Sequence, residues 1–395
     1  MISICILWLF IILLIILLLK LLNLKKNYII CFLITFFIIL FVVNLKPSME
    51  AAINGSKLVV TAILPTIFPF SVICNLLIAY DGITLYSKIL GPLICKPLGL
   101  SKHSSFPIAA SFICGYPLGA KYTYEVYNLG YIHKDEYERL LNIASNAGPI
   151  FILGAVSVAM LNNIKYGYIL LIANFLSSLI IGFITKKSTK SPKITINKEN
   201  IKNNSNFGLS LKKAIEGAIS TTLNVSAFVI IFSVIINIIK STTIIRAAFT
   251  FIENLVCLPD NILYNLLLGS IEFTNGCKLI SDSNLSITLK LSIISFILCF
   301  SSISVIAQVS SIISNKTCNF KKYILLKFLQ GIIGFIITFI SSNILLVSIP
   351  TFNVTTNYSY TNILINIYLP IIILLSISFI FSFIVKSIKN KLHSS

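Results

Sequence analysis

The feature that most restricts this chain is a set of long apolar runs: Ile2 to Leu19, Tyr28 to Val43, Tyr166 to Ile184, Ala218 to Ile239, Ile324 to Leu346 and Ile363 to Val385. Each is near or above the roughly 18 to 20 residues that cross the hydrocarbon core of a bilayer. With 56% hydrophobic and 11% charged residues over 395 positions, and a mean hydropathy of +0.95, a soluble domain would expose large apolar patches. The chain therefore reads as an all-α polytopic membrane protein embedded in a lipid bilayer. Its first run lacks a basic start and a small-residue cleavage site, so it reads as a retained helix.

The net charge of +19 does not form a basic face for nucleic acid, because the lysines gather in short segments between apolar runs. They read as topology signals. Lys20, Lys25 and Lys26, the stretch Lys186 to Lys213, Lys316, Lys321 and Lys322, and Lys386 to Lys391 mark cytoplasmic ends, whereas the uncharged Pro350 to Asn362 reads as an external loop. About nine spans, with the N-terminus outside and the C-terminus inside, fit this pattern. The nine cysteines are scattered, without a CxxC pair or histidines at metal spacing, so neither a metal site nor a disulfide framework is expected. No nucleotide-binding motif, nucleophile elbow, HExxH or acid dyad is present, and enzymatic function is disfavoured.

Shifting the chain on itself by 162 positions matches Ala52, Ile53 and Gly55 to Ala214, Ile215 and Gly217. It also matches Phe70-Ser71-Val72-Ile73 and Asn75 to Phe232-Ser233-Val234-Ile235 and Asn237. These are eight identities over 24 ungapped positions. By the lysine rule the helix Ser56 to Tyr80 runs inward and its counterpart Ala218 to Ile239 runs outward, so the halves are inverted, as in many secondary transporters. The expected organisation is two N-terminal spans (1–45), a first repeat (46–185), a basic cytoplasmic linker (186–213), a second repeat (214–348) and a closing span with a basic tail (349–395).

Each repeat contains a broken region, Ile83 to Lys121 and Ile244 to Lys278, ending in Gly119-Ala120-Lys121 and Gly276-Cys277-Lys278. In Cys114-Gly115-Tyr116-Pro117-Leu118-Gly119-Ala120-Lys121 the glycines permit close approach or positive φ, and the proline removes a donor and fixes a bend. A re-entrant hairpin over Pro107 to Lys121 is the natural reading, since broken backbone at membrane depth is tolerated only against protein or a watery cavity. A plain extramembrane loop is the alternative. Asn146-Ala147-Gly148-Pro149 opens the apolar run Ile150 to Met160, with Pro149 at a first helical position, and Ser301-Ser302-Ile303-Ser304 is its counterpart. Such helix starts either favour an anionic group or are ordinary caps at the membrane surface.

Three further side chains are candidates. Glu272, in the apolar stretch Leu266 to Gly276 and followed by Asn275, either binds a coupling cation or proton or pairs with Lys278 at the interface. Gln308, among Ile and Val, either contacts substrate or bonds another helix. Lys121 and Lys278 either offset substrate charge or snorkel. The run Asp135, Glu136, Glu138 and Arg139 reads as a solvated cytoplasmic face.

Several of these motifs resemble a known family. The Gly-Tyr-Pro-Leu-Gly-Ala-Lys core, Asp135 to Leu141, Asn146 to Pro149 followed by Gly154-Ala155-Val156, and Ser304-Val305 through Gln308-Val309 are similar to the sporulation integral membrane protein family typified by YlbJ. The resemblance covers about residues 45 to 345. It implies a membrane protein of the nucleoside-recognition (Gate) class, distantly similar to concentrative nucleoside transporters and implicated in moving dipicolinic acid across the outer forespore membrane. That substrate is a small anionic pyridine dicarboxylate, which helix N-termini, backbone amides and lysines would suit, with Tyr116 stacking on its ring. Two departures stand out: the family commonly has a glycine pair at Ser301-Ser302, and Glu272 is followed here by Phe273-Thr274-Asn275. The substrate-site set is accordingly Gly115, Tyr116, Pro117, Gly119, Lys121, Asn146, Gly148, Pro149, Glu272, Asn275, Gly276, Lys278, Ser301, Ser302 and Gln308, with no cofactor beyond a coupling proton or sodium ion. Nucleoside or nucleobase transport, and a non-transporting membrane scaffold docking through Lys186 to Lys213, are the competing readings.

Overall fold

The computed structural model describes residues 26–186, 206–313 except 257 and 260, and 318–347. The runs Ile2 to Leu19 and Ile363 to Val385, the loop Pro350 to Asn362, most of the basic linker and the basic tail lie outside the described residues. Among the described residues every regular element is helical. Four helices are long and apolar enough to cross a membrane, Ile164–Ile184, Phe207–Ser241, Ile287–Ile312 and Phe320–Leu345, or up to six if each bent pair counts as one span. The described residues thus supply four to six of the nine spans expected from sequence.

Helix α1 (Lys26–Val43) turns sharply into α2 (Leu45–Leu58), the two apolar segments meeting at 98°. From there a continuous helical path runs through a π-turn (Val59–Ile63) into α3 (Leu64–Ala79). The path starts well before the expected Ser56, because Pro47 falls in its first turn, where a missing N–H is harmless. Its repeat partner is the 35-residue helix Phe207–Ser241. The two pack antiparallel: a Cβ added at Gly55 would lie 3.1 Å from Ile230 Cα, and Asn75 Nδ2 donates to the Ala214 carbonyl at 3.0 Å. The residues repeated in sequence are thus the residues that make the crossing.

After α4 (Gly82–Ile89), α5 (Ser105–Cys114) and α6 (Leu118–Asn128) form the first hairpin. Next come α7 (Lys134–Ile143), the π-helical α8 (Ile150–Met160) and α9 (Ile164–Ile184). The second half holds α10 (Phe207–Ser241), α11 (Thr243–Leu255) and the hairpin α12 (Ile262–Ile271) and α13 (Phe273–Ser281). It continues through α14 (Ile287–Phe300), α15 (Ser302–Ile312) and α16 (Phe320–Val347). Hairpins and helix starts are packed inside, where Phe106, Leu118, Tyr122, Tyr137 and Leu298 are fully buried. Phe32 is 73% exposed and Leu325 60%, as lipid-facing side chains would be.

Arg139 departs from the expected solvated face. It is buried and donates to the carbonyls of Leu98, Gly99 and Gly182, tying α7 to the loop before α5 and to the end of α9. Its guanidinium satisfies three backbone carbonyls from two separate segments.

Candidate functional site

The hairpin turns are built by different chemistry. In the first, Gly115 ends α5 at φ +82°, a conformation that favours glycine, and an added Cβ would stand 2.4 Å from Gly148 N. The tip therefore presses on the Asn146–Pro149 stretch, and Tyr116 N donates to the Asn146 carbonyl at 2.7 Å. Pro117 caps the start of α6. In the second hairpin Glu272 is the N-cap of α13, its carboxylate accepting from Thr274 N and Asn275 N at 2.9 Å each and from Asn275 Nδ2 at 2.9 Å. Gly276 packs on Gly269, where a Cβ would meet Gly269 Cα at 2.1 Å. Gly119 is equally constrained, against the Ala144 carbonyl and Ser111.

The two tips meet. Gly115, Tyr116, Gly119, Lys121 and Glu125 stand 157 positions before Glu272, Phe273, Gly276, Lys278 and Asp282, and the rings of the equivalent residues Tyr116 and Phe273 touch edge to face at 5.2 Å. Phe151 adds a second edge contact to Phe273 at 4.8 Å. Around this junction lies a cavity of about 320 Å³, lined in part by Tyr116, Gly148, Phe151, Gly154, Phe273 and Gln308 and closed by the π-turn Val59–Ile63, α3 and α10. The Tyr116 hydroxyl is buried without a hydrogen-bond partner, and the Gln308 amide has none among the described residues.

The carbonyls of the non-helical stretch before α8 are met by protein groups, as an interrupted backbone at membrane depth requires. Asn146 donates to the Ile143 carbonyl at 2.6 Å and to Ser111 Oγ, and Asn174 Nδ2 reaches the Ala147 carbonyl at 3.1 Å. Pro149 caps the helix that follows. The counterpart break is unusual: Ser301 and Ser302 both have positive φ, +73° and +56°. The backbone here is one that glycine adopts without strain. The Ser301 hydroxyl is buried and unpartnered, while Ser302 and Ser304 share a hydrogen bond at 3.0 Å.

Of the residues singled out from sequence, Tyr116, Gly148 and Gln308 line the cavity. Gly115, Pro117, Asn146 and Pro149 adjoin lining residues in the chain without lining it themselves, and Gly119 and Gly276 are the close contacts within the two halves' hairpin packing. Lys121 and Lys278 lie elsewhere. Lys121 Nζ donates to Asn75 Oδ1 at 3.1 Å and Ser71 Oγ at 3.4 Å and stands 3.8 Å from Glu125, while Lys278 is exposed in a different cavity. Glu272 and Asn275 are occupied with capping, and Ser301 and Ser302 are buried at their break.

A polar cluster behind the site escaped the sequence reading. Lys327, fully buried in α16, donates to the Ser145 carbonyl and to Gln330 Oε1 at 2.8 Å, and Gln330 Nε2 reaches Asn146 Oδ1 at 3.0 Å. It ties α16 to the break before α8. The available signal was a lysine followed three residues later by glutamine inside an apolar run.

The Gate family, described as nucleoside recognition, matches residues 60–140, which hold α3 and the whole first hairpin. Sporulation integral membrane protein YlbJ of Bacillus subtilis (strain 168) is 28% identical over 306 residues, 72% of this chain and 75% of that protein. The resemblance to the YlbJ family holds. In this YlbJ-like chain the Gate match also takes in Asn75 and Lys121, so the first hairpin and its contacts with α3 fall within one recognised unit. Among solved structures, a CNTnw variant in an outward-facing state is similar at 18% identity and a TM-score of 0.42, covering 77% of this chain and 87% of that one.

Proposed function

We propose that this chain is a sporulation membrane transporter that moves dipicolinic acid across the outer forespore membrane by alternating access. The observation that carries the reading is the meeting of two repeat-related hairpin tips, Tyr116 and Phe273, over a cavity at a helix start. Inverted-repeat transporters place substrate at such a junction of broken helices. Tyr116, Phe151 and Phe273 offer faces and edges to a planar ring, and the first-turn amides of α8 carry the positive end of a helix dipole toward a carboxylate. The similarity to YlbJ, named as a sporulation membrane protein, supports the cellular setting.

Among the described residues no lysine or arginine lines the cavity. A dicarboxylate would therefore enter with its charge offset by a co-moving proton or sodium ion, because a bare dianion in a low-dielectric site is costly. The same uncharged lining favours a second reading, nucleoside or nucleobase transport, in which Gln308 reads a base edge. A spore former lacking its own YlbJ and supplied with this chain tests the first reading. Spore dipicolinate is expected to be restored by the wild-type chain and not by Gly119→Leu at equal protein level; restoration by neither or by both contradicts it.

A further inference from the structure

The repeat carries four polar residues into each half, and only one set is assembled. In the first half Lys121 of the hairpin is held by Asn75 Oδ1 (3.1 Å), Ser71 Oγ (3.4 Å) and Glu125 (3.8 Å). Asn75 is fixed in turn by its bond to the Ala214 carbonyl. The second half keeps these four, Ser233 and Asn237 at the positions of Ser71 and Asn75, and Lys278 and Asp282 at those of Lys121 and Glu125, but Leu279 replaces Tyr122, whose hydroxyl also reaches Ser71 Oγ at 3.4 Å and Asn75 Oδ1 at 3.3 Å.

There the set is dispersed. Ser233 Oγ is turned back to the Val229 carbonyl at 2.8 Å, and Asp282 bonds Ser281 Oγ at 3.4 Å. Neither the Lys278 nor the Asn237 side chain has a hydrogen-bond or ion-pair partner among the described residues. Lys278 instead faces Ser233 and Asn237 across a cavity of about 580 Å³ that Glu50 and Lys240 also line. The two sets lie toward opposite ends of α10, from Ala214 to Asn237, roughly 35 Å along a helix that can cross the membrane.

We propose that the two hairpin lysines are alternating latches: in the exchanged conformation Lys278 docks on Ser233, Asn237 and Asp282 while Lys121 leaves Ser71, Asn75 and Glu125. The physical basis is that the halves are chemically equivalent but conformationally unlike. One hairpin is tied to its long helix through a charge-assisted network, and its mate stands off with the lysine's own partners, Ser233, Asn237 and Asp282, present. In a two-state inverted repeat, each half takes up the arrangement the other relinquishes. The inference draws on the alternating-access reading for its use, yet it concerns no substrate and is measured without one.

The test uses the full-length chain in liposomes with cysteine pairs, Ser71→Cys with Lys121→Cys as reference and Ser233→Cys with Lys278→Cys as the probe. A short bifunctional thiol reagent is applied, and linked peptides are quantified by mass spectrometry. Both pairs are expected to link. Adding Asn75→Ala to the probe pair should raise its linking rate roughly tenfold, the scale of one lost hydrogen bond to a charged group. Glu125→Gln, which preserves shape if Asn75→Ala fails to fold, should raise it about twofold. A probe pair that stays unlinked while the reference pair links, or a rate that neither substitution changes, overturns the latch and leaves the transport reading standing.

Discussion

Gly119→Ala puts the hairpin geometry under direct strain. An alanine Cβ at 119 would lie 2.1 Å from the Ala144 carbonyl oxygen and 2.5 Å from Ser111 Cβ, where real Cβ contacts do not fall below 3.0 Å. Helix α6 must then retreat from the turn after α7 by about 0.9 Å, the difference between 3.0 and 2.1. Overpacking of this kind costs about 1 to 3 kcal/mol, and the upper end applies because the obstacle is a backbone carbonyl that cannot rotate away. The assay is the thermal midpoint of the purified chain in detergent, where a loss of that size is a fall of several degrees. Gly154→Ala is the matched control: nothing lies within 4 Å of its added Cβ. There the change should leave the midpoint unchanged or raise it, by up to ~1 kcal/mol of helix propensity. A Gly119→Ala chain that melts with wild type would refute the close packing of α6 on the Ala144 turn, and with it the placement of the first hairpin tip.

Three other outcomes follow from the same geometry. Ser301→Gly removes a positive φ of +73° from a residue with a Cβ and deletes a buried unpartnered hydroxyl, so the thermal midpoint should rise; a fall would mean the hydroxyl has an essential partner. Glu272→Ala should cost about 1 kcal/mol by uncapping α13, with Glu272→Gln costing less, and equal losses in chemical denaturation would remove capping as the role of this carboxylate. His103, in the loop before α5, is held below its ordinary pKa by burial and then by the Lys102 charge. Because the folded state resists its protonation, stability is full above the unfolded value and lost as pH falls through it; His103→Gln should therefore flatten the midpoint between roughly pH 7.5 and 5.

Much of the architecture was legible because its physical causes are local. Apolar runs announce spans, and the hairpin breaks are marked by glycine and proline at Gly115, Pro117 and Gly119, with an added Cβ at Gly115 or Gly119 colliding with backbone. The inverted repeat was legible for a deeper reason: Gly55, Ser233, Asn75 and Ala214 are identical or repeat-matched because they meet where the two long helices cross. What the sequence did not reveal depends on helix rotation and long-range pairing. Lys121 and Lys278 turn away from the tips, since four residues separate Lys121 from Glu125 and the same face of α6 is committed to Asn75. Glu272 looked like an unpaired membrane carboxylate because its partners are backbone amides of its own helix, which no residue pattern records. Lys327 was hidden in the same way: its acceptor, the Ser145 carbonyl, lies 182 residues earlier. Arg139 read as solvated from its acidic neighbours, although its three acceptors are carbonyls of distant segments.

The central claim, that the cavity between the hairpin tips carries a substrate through the membrane, is tested most directly by uptake of labelled dipicolinate into liposomes under proton and sodium gradients. Wild type is compared with Gly154→Leu, which fills the cavity from a position with open space around it. Saturable, gradient-dependent uptake by wild type, lost in the variant while its thermal midpoint is kept, is the predicted result; no uptake under either gradient, or undiminished uptake by Gly154→Leu, contradicts it.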